Sequence, residues 1–426
     1  MSKEKIFTPY QVFYIVLASL AQFLIIVDFM VLSPLGAQLM PALHISPAQF
    51  GVVVSAYAFS AGASGLMAAG FADRYDRKSL LLFFFGGFVV GTFLCGLATD
   101  YWFLFSARVV TGIFGGVVGS ISLAVITDIF APEQRGRVMG FVQMSFAVAQ
   151  VLGLPVGLYL ANLWNWHAPF WTIVAVSIPI WVLILVKMRP VRDHLALQKN
   201  HSAMEHLWQT ASKPFYLRAF LATTLLATGG FMLMPFGAAF GVNNLGLAMS
   251  DLPKIYLITG LFSMLTGPLV GKLVDKIGTM YVFTAGTVWA IMLVLFYTNL
   301  GITPLWMLIG VNVLLFMGVT ARMISSSTLM SNVPSAADRG AFMGVNSSVS
   351  QISGGIATAI AGLIIHQRED GYLENYPLLG IVVAISMVIC VILLWGIWRA
   401  VEQRTFLNAE HLNTEHRTPN AEHRSI

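Results

Sequence analysis

Long apolar runs separated by short polar turns dominate this chain. A helix that crosses a bilayer needs roughly 20 mostly apolar residues, and the pattern predicts twelve such stretches: 11–36, 49–71, 80–98, 101–129, 138–162, 167–187, 215–241, 253–274, 279–299, 304–331, 341–365 and 377–399. Most connections are short, as expected between antiparallel neighbours. The exception is residues 188–214, a polar, charged stretch that separates two groups of six spans. The expected organisation is a six-helix bundle over 1–187, a cytoplasmic linker over 188–214, a second six-helix bundle over 215–400 and a disordered cytoplasmic tail over 401–426. The tail has too few apolar residues to offset its ordering entropy. Its Glu-His pairs, Glu410-His411, Glu415-His416 and Glu422-His423, read as solvated polar residues rather than as a metal site.

Composition agrees with this pattern. Of 426 residues 57% are hydrophobic and 10% charged, against about 25% charged in soluble domains, and mean hydropathy is +0.78. This excludes a disordered chain, a disulfide scaffold and an ordinary soluble enzyme. The first apolar stretch, from Tyr10, is too long for a signal-peptide core and has no small-residue cleavage site, so it is expected to remain as the first span. Cys95 and Cys390 both fall inside apolar runs and read as small buried residues. The net charge of +5 is spread over short loops, which argues against nucleic acid as a partner.

The placement of those charges predicts orientation. With the N-terminus inside, 20 of the 24 Lys and Arg residues fall in inside segments, while Lys254 and Arg368 fall outside and Arg108 and Arg322 lie within spans. Basic residues accumulate on the cytoplasmic side, so both chain ends are expected there.

The halves also echo one another. Asp73-Arg74-Tyr75-Asp76-Arg77-Lys78 follows the second span and Asp275-Lys276-Ile277-Gly278 the eighth, with Asp73 and Asp275 202 residues apart. Arg135-Gly136 returns as Arg339-Gly340 and Trp102 as Trp306, both at 204. Parallel six-span repeats are a recurring transporter plan with a central site between the halves. The loop motif, its weaker copy and the 6 + 6 layout resemble the major facilitator superfamily over essentially the whole chain. The resemblance implies an all-α membrane protein of twelve transmembrane helices in two six-helix repeats. It also implies secondary transport by alternating access, with the drug- and sugar-efflux branches the most similar. The family's loop usually has Gly where this chain has Ala69 and Asp76.

Within the spans, Asp28 is the only deep acid. An ionisable side chain at the bilayer centre costs on the order of 3 kcal/mol or more and usually faces a cavity or a partner. Asp28 and Arg108 lie at similar depth, roughly 10–12 Å from the outer ends of the predicted helices, so they can pair. By resemblance, Arg108 tunes the proton affinity of Asp28; a purely structural buried pair is the alternative. Gly112, Gly115, Gly116 and Gly119 form small-xxx-small pairs for close helix packing. Gly153, Pro155 and Gly157 resemble a shortened form of the superfamily's antiporter motif, with a generic kink as the alternative. By the same resemblance Asp73, Arg74, Arg77 and Asp128 form a cytoplasmic charge network that closes one state.

Arg322 is expected to snorkel to the inner interface, or else to attract an anionic substrate. Tyr57, Gln143, Thr224, Asn346 and Gln351 are neutral candidates for a substrate cavity. No metal-ligand cluster, Walker sequence or hydrolase motif is present, so no cofactor and no enzymatic activity are expected. The expected protein is a monomer of the bacterial inner membrane. It exchanges protons for a small amphipathic, drug-like or sugar-like compound, the alternatives being a proton-solute symporter and a non-transporting sensor.

Overall fold

The computed structural model describes residues 7–192, 195, 203–335 and 338–415, with some side chains, among them those of Asp73 and residues 404–415, outside that description. Twelve helices are long and apolar enough to cross a membrane: Pro9–Leu43, Pro47–Ala68, Arg77–Leu97, Tyr101–Ile129, Glu133–Leu163, Ala168–Lys187, Pro214–Asn243, Met249–Ile277, Thr279–Thr298, Leu305–Asn332, Arg339–Ile364 and Tyr376–Gln403. They match the twelve predicted stretches and are called spans one to twelve. Twelve crossings return the chain to the face on which it began; that face is the terminal side and the opposite one the distal side.

Local signals set several ends. Thr8 and Ser46 each cap a helix in a capping box with Gln11 and Gln49, and a proline follows in the first turn, where its missing N–H is not needed. Span one overruns its predicted end at residue 36 and continues to Leu43, carrying Pro34 and Pro41 inside the helix before His44 closes it in the left-handed conformation. Span five contains a π-type turn at Ala149–Gly153.

Past residue 401, where the tail is expected to begin, the last helix continues to Glu415. Glu, Gln, Arg and Leu favour helix, and propagation from an existing helix avoids the cost of nucleation. The paired Glu-His side chains lie outside the described residues. Residues Ala203–Ala211 of the linker form a short helix.

Burial shows how the two halves meet. A distal cluster draws on both, from Val31, Leu35 and Phe50 of the first half to Phe240, Leu245 and Ile365 of the second. Towards the terminal side the core divides. One cluster, around Tyr14, Phe85 and Ile126, belongs to the first half; a second, around Phe220, Phe342 and Leu394, joins the second half to Leu207 of the linker; and a small third, around Val270 and Val274, lies within the second half. The halves therefore share a core at the distal side and keep separate cores at the terminal side.

Small residues permit the seams. A Cβ on Gly51 would lie 2.9 Å from the Thr358 carbonyl oxygen, and one on Gly362 2.7 Å from that of Pro47, so spans two and eleven touch backbone to backbone. Gly260 of span eight similarly abuts the π-type turn of span five, at 3.0 Å from the Gln150 carbonyl oxygen. Towards the terminal side, Cβ atoms on Gly136, Gly140, Gly267 and Gly271 would meet nothing within 4 Å.

Gly116 offers a direct test of this packing. Its Cβ would sit 2.6 Å from both Cα and the carbonyl oxygen of Ala61, where backbone must move. Gly116→Ala is expected to destabilise the protein by about 1–3 kcal/mol, whereas Gly310→Ala, with open space around it, should be neutral or slightly stabilising. Thermal unfolding of the purified variants checks the contrast.

Candidate functional site

Four spans of the first half build a buried polar centre. Arg108 on span four donates from Nη1 to Asp28 Oδ2 on span one at 2.7 Å, and Thr92 on span three donates to Asp28 Oδ1 at 3.2 Å. Asp28 is fully buried and Arg108 1% exposed. On span two, the Tyr57 ring lies under the Arg108 guanidinium, 4.7 Å from its Cζ. Carboxylate, hydroxyl and π-face together replace the water that a charged group loses on burial. The overrun of span one places Asp28 about 22 Å from that helix's distal end and Arg108 about 10 Å from its own, so the two distances from the helix ends differ while the groups still meet. The extra turns of span one extend past the end of span four and leave the meeting point unchanged.

The glycines of span four seat Tyr57. A Cβ on Gly112 would overlap Ser60 Oγ, and one on Gly115 would lie 2.9 Å from the Tyr57 hydroxyl. Span five packs behind the centre: a Cβ on Gly153 would overlap Val27 Cγ2, and one on Gly157 would lie 2.9 Å from Val31 Cγ2. Pro155 stands in the first turn after the π-type turn. The glycines of this motif thus press against the stretch of span one that carries Asp28. Outward from Tyr57, Phe29 lies 5.3 Å away and Phe231 of span seven a further 6.0 Å between ring centroids, which carries the aromatic contact across to the second half.

Several of the candidate cavity residues lie along helix seams. Thr224 accepts a hydrogen bond from Ser353 Oγ at 2.9 Å, and Asn346 Oδ1 accepts one from Thr223 at 2.6 Å, so both tie span seven to span eleven. Gln351 lies against Gly62 of span two. Gln143 is exposed and makes no hydrogen bond among the described residues. Neutral groups on neighbouring helices satisfy one another before they can form a cage. Thr92 was not identifiable in advance, since a lone threonine in an apolar run carries no positional signal.

The charged motif at the terminal end of the first half is partly assembled. Arg77, buried, pairs through Nε with Asp128 Oδ2 at 3.2 Å and donates from Nη1 to the Ala72 carbonyl at 3.0 Å. Arg74 is exposed, and the Asp73 side chain lies outside the described residues. Asp76, the departure from the family's glycine, caps span three and also receives Val191 N at 2.9 Å and Arg192 Nε at 3.3 Å. It clasps the start of the linker onto the first half. In the second half, Asp338 accepts from Lys213 Nζ at 2.6 Å, Tyr216 at 2.8 Å and Ser335 Oγ at 2.9 Å.

Arg322 corrects its expectation. It does not snorkel, being only 4% exposed, with its guanidinium carbon 5.7 Å from the Phe283 ring. Its guanidinium lies against Phe283 of span nine and near Gly229 of span seven rather than at the interface.

Two outcomes follow. Asp28→Leu strands a buried guanidinium and is expected to cost on the order of 3 kcal/mol, while the double variant Asp28→Leu/Arg108→Met should be less destabilised than the single one; matched unfolding scans measure the difference. At the terminal face, the Lys213 ammonium, with the Tyr216 and Ser335 hydroxyls, holds the Asp338 carboxyl down at about 2. Since an unfolded carboxyl titrates at about 3.9, this contribution is complete above that value and is lost as pH falls through about 2. Asp338→Asn should therefore lower the unfolding midpoint at neutral pH, with the deficit shrinking as pH approaches 2.

Comparison with known proteins places this architecture. The family model described as Major Facilitator Superfamily matches residues 18–358. An uncharacterized MFS-type transporter of Bacillus subtilis (strain 168), YceJ, is 31% identical over 265 residues, 62% of this chain and 67% of that protein. A probable sugar efflux transporter of Helicobacter acinonychis (strain Sheeba) is 21% identical over 345 residues, 78% of this chain and 82% of its own. The crystal structure of a bacterial homolog to the human lysosomal transporter Spinster, in an inward-facing and occupied conformation, superposes with a TM-score of 0.70 at 18% identity, covering 94% of this chain and 98% of that one. With the repeat, the twelve spans and this match, the chain belongs to the Major Facilitator Superfamily and is a multi-pass membrane transporter, not an enzyme.

Proposed function

We propose that this transporter exports a small amphipathic compound, drug-like or sugar-like, in exchange for protons. The observation that carries the reading is the buried Asp28–Arg108 pair on Tyr57. A carboxylate held by one guanidinium and one hydroxyl has two usable states. Ionised, it holds Arg108; protonated, it loses most of that attraction and leaves the guanidinium to the Tyr57 ring. Tyr57 touches Phe29, and Phe29 touches Phe231 across the seam, so a change at the pair reaches the contact between the halves.

The distal side is the outside and the terminal side, with both chain ends, is the cytoplasm, as the Lys and Arg distribution supports. The shared distal core and separate terminal cores then correspond to an inward-facing state of a monomer in a bacterial inner membrane. Residues 1–187 and 215–400 rock as units about spans two and eleven. In the outward-facing state a proton from outside neutralises Asp28; in the inward-facing state it leaves and cargo enters. Each ligand favours a different charge state of one centre, which couples their flows. Arg77 and Asp128, with Asp73 and Arg74 beside them in sequence, hold the cytoplasmic end of the first half. The relative named a sugar efflux transporter supports export, as does the glycine-proline motif packed against span one.

Wild type and Asp28→Asn reconstituted in vesicles loaded with a pH-sensitive dye test this. Over a panel of amphiphiles, sugars and small metabolites, a carried compound should drive protons in the opposite direction through wild type and not through Asp28→Asn. Movement of both in the same direction would establish symport. Cargo-driven proton flux equal in the two proteins would remove Asp28 from the mechanism.

A further inference from the structure

Arg322 lies in the terminal-side half of span ten, about 15 Å from that helix's end at 1.5 Å per residue, packed among spans seven, nine and twelve. Phe283 of span nine faces its guanidinium. Gly229 of span seven lies close by: a Cβ there would be in ordinary contact with Arg322 Nη1, at 3.7 Å, and with Met387 Cε of span twelve, at 3.4 Å. Within this enclosure Arg322 Nε and Nη2 are buried and have no hydrogen-bond partner among the described residues. Ser325 stands three residues on, a neighbour on the same helix face, and its Oγ is also buried and without a partner.

Among the described residues no carboxylate pairs with this cation. Between residues 214 and 400 the acids are Asp251, Asp275, Asp338, Glu369, Asp370 and Glu374. All six stand at helix ends or in the loop before span twelve, and Asp251, Asp338 and Glu374 already pair with Lys254, Lys213 and Arg368. Arginine does not escape by losing its proton, as a buried lysine can. A Phe ring answers only part of the charge, and it leaves the N–H donors directed elsewhere. Where the first half sets Asp28 against Arg108, the second sets only the Phe283 ring and the Cys390 thiol against Arg322, and Nε and Nη2 remain without a partner among the described residues.

We propose that Arg322 and Ser325 form a site for a small monovalent anion, a halide or a carboxylate group, bound by Arg322 Nε and Nη2 and the Ser325 hydroxyl. Two adjacent N–H groups on a planar fork suit a carboxylate edge or a spherical halide, and the serine adds a third donor. The anion comes either from the medium, as chloride, or from an acidic group on the cargo. The site goes beyond the coupling centre at Asp28 and does not depend on proton exchange there.

The test uses the full-length protein purified in detergent, with no cargo present. Its unfolding midpoint is followed while gluconate is replaced by chloride or bromide at constant sodium, and separately while benzoate is added. In wild type the midpoint should rise and level off. Arg322→Gln should abolish the response, and Ser325→Ala should raise the half-saturating concentration about tenfold, as expected for one lost hydrogen bond to a charged ligand. A response to halide alone identifies the medium as the source, and a response to benzoate alone identifies an acidic group of the cargo; either supports the site. A flat wild-type midpoint in all three anions, or an Arg322→Gln variant that responds like wild type, overturns it. Neither outcome bears on the vesicle result with Asp28→Asn.

Discussion

Charge inside this molecule has almost no water to solvate it, and the arrangement of the first half follows from how that shortage is met. Asp28 and Arg108 come from helices 80 positions apart in the chain and approach to 2.7 Å. Holding that distance requires span four to come close to spans two and three. The glycines at 112, 115 and 116 permit the first approach, and Gly91, whose Cβ would lie 2.8 Å from the Thr111 Cα, permits the second. The small-residue run in span four is therefore the condition under which the ion pair can exist. Losing either charge leaves the other stranded, so the pair stands or falls as one element.

The apolar core shows how such an element can act at a distance. Close packing makes interfaces bistable rather than continuously deformable. Here one cluster spans both halves at the distal side, and the buried members of the clusters towards the terminal side do not bridge the halves. The shared cluster is the part of the core through which the halves hold each other. The Tyr57–Phe29–Phe231 rings sit where the buried pair meets that shared surface. The π-type turn in span five serves the same seam, since it presents backbone to Gly260 of span eight.

The halves descend from one pattern yet handle charge differently. The first has an internal pair and a clasp, in which Asp76 replaces a glycine and takes hold of the linker backbone at Val191. The second has Asp338 at its terminal end, drawing Lys213 and Tyr216 onto the start of span eleven, and an arginine within the bundle that lacks a carboxylate. The linker is thus fastened at both ends by an acid, one on each half.

Much of this was legible in the residues. Twelve apolar runs, their grouping by a polar linker and the repeat near 204 residues follow from the length a bilayer demands and from spacing along one dimension. Asp28 and Arg108 were conspicuous because charge in an apolar run is costly, and the glycines of span four because small residues recur at helical spacing. What a helix faces is another matter. The pairing at 2.7 Å, the part played by Thr92, the mutual satisfaction of Thr224 with Ser353 and Asn346 with Thr223, and the burial of Arg322 all depend on which helices become neighbours. Neutral hydroxyls and amides carry no signal that separates a cavity wall from a helix seam, and a long arginine stem reaches lipid headgroups or a bundle interior with equal ease. The sequence by itself determined the number of spans, the repeat and the residues that must find partners, because burying apolar length and charge constrains each residue locally. Only the tertiary structure decided which partners they found, because contacts between helices join positions about a hundred residues apart that nothing along the chain brings together.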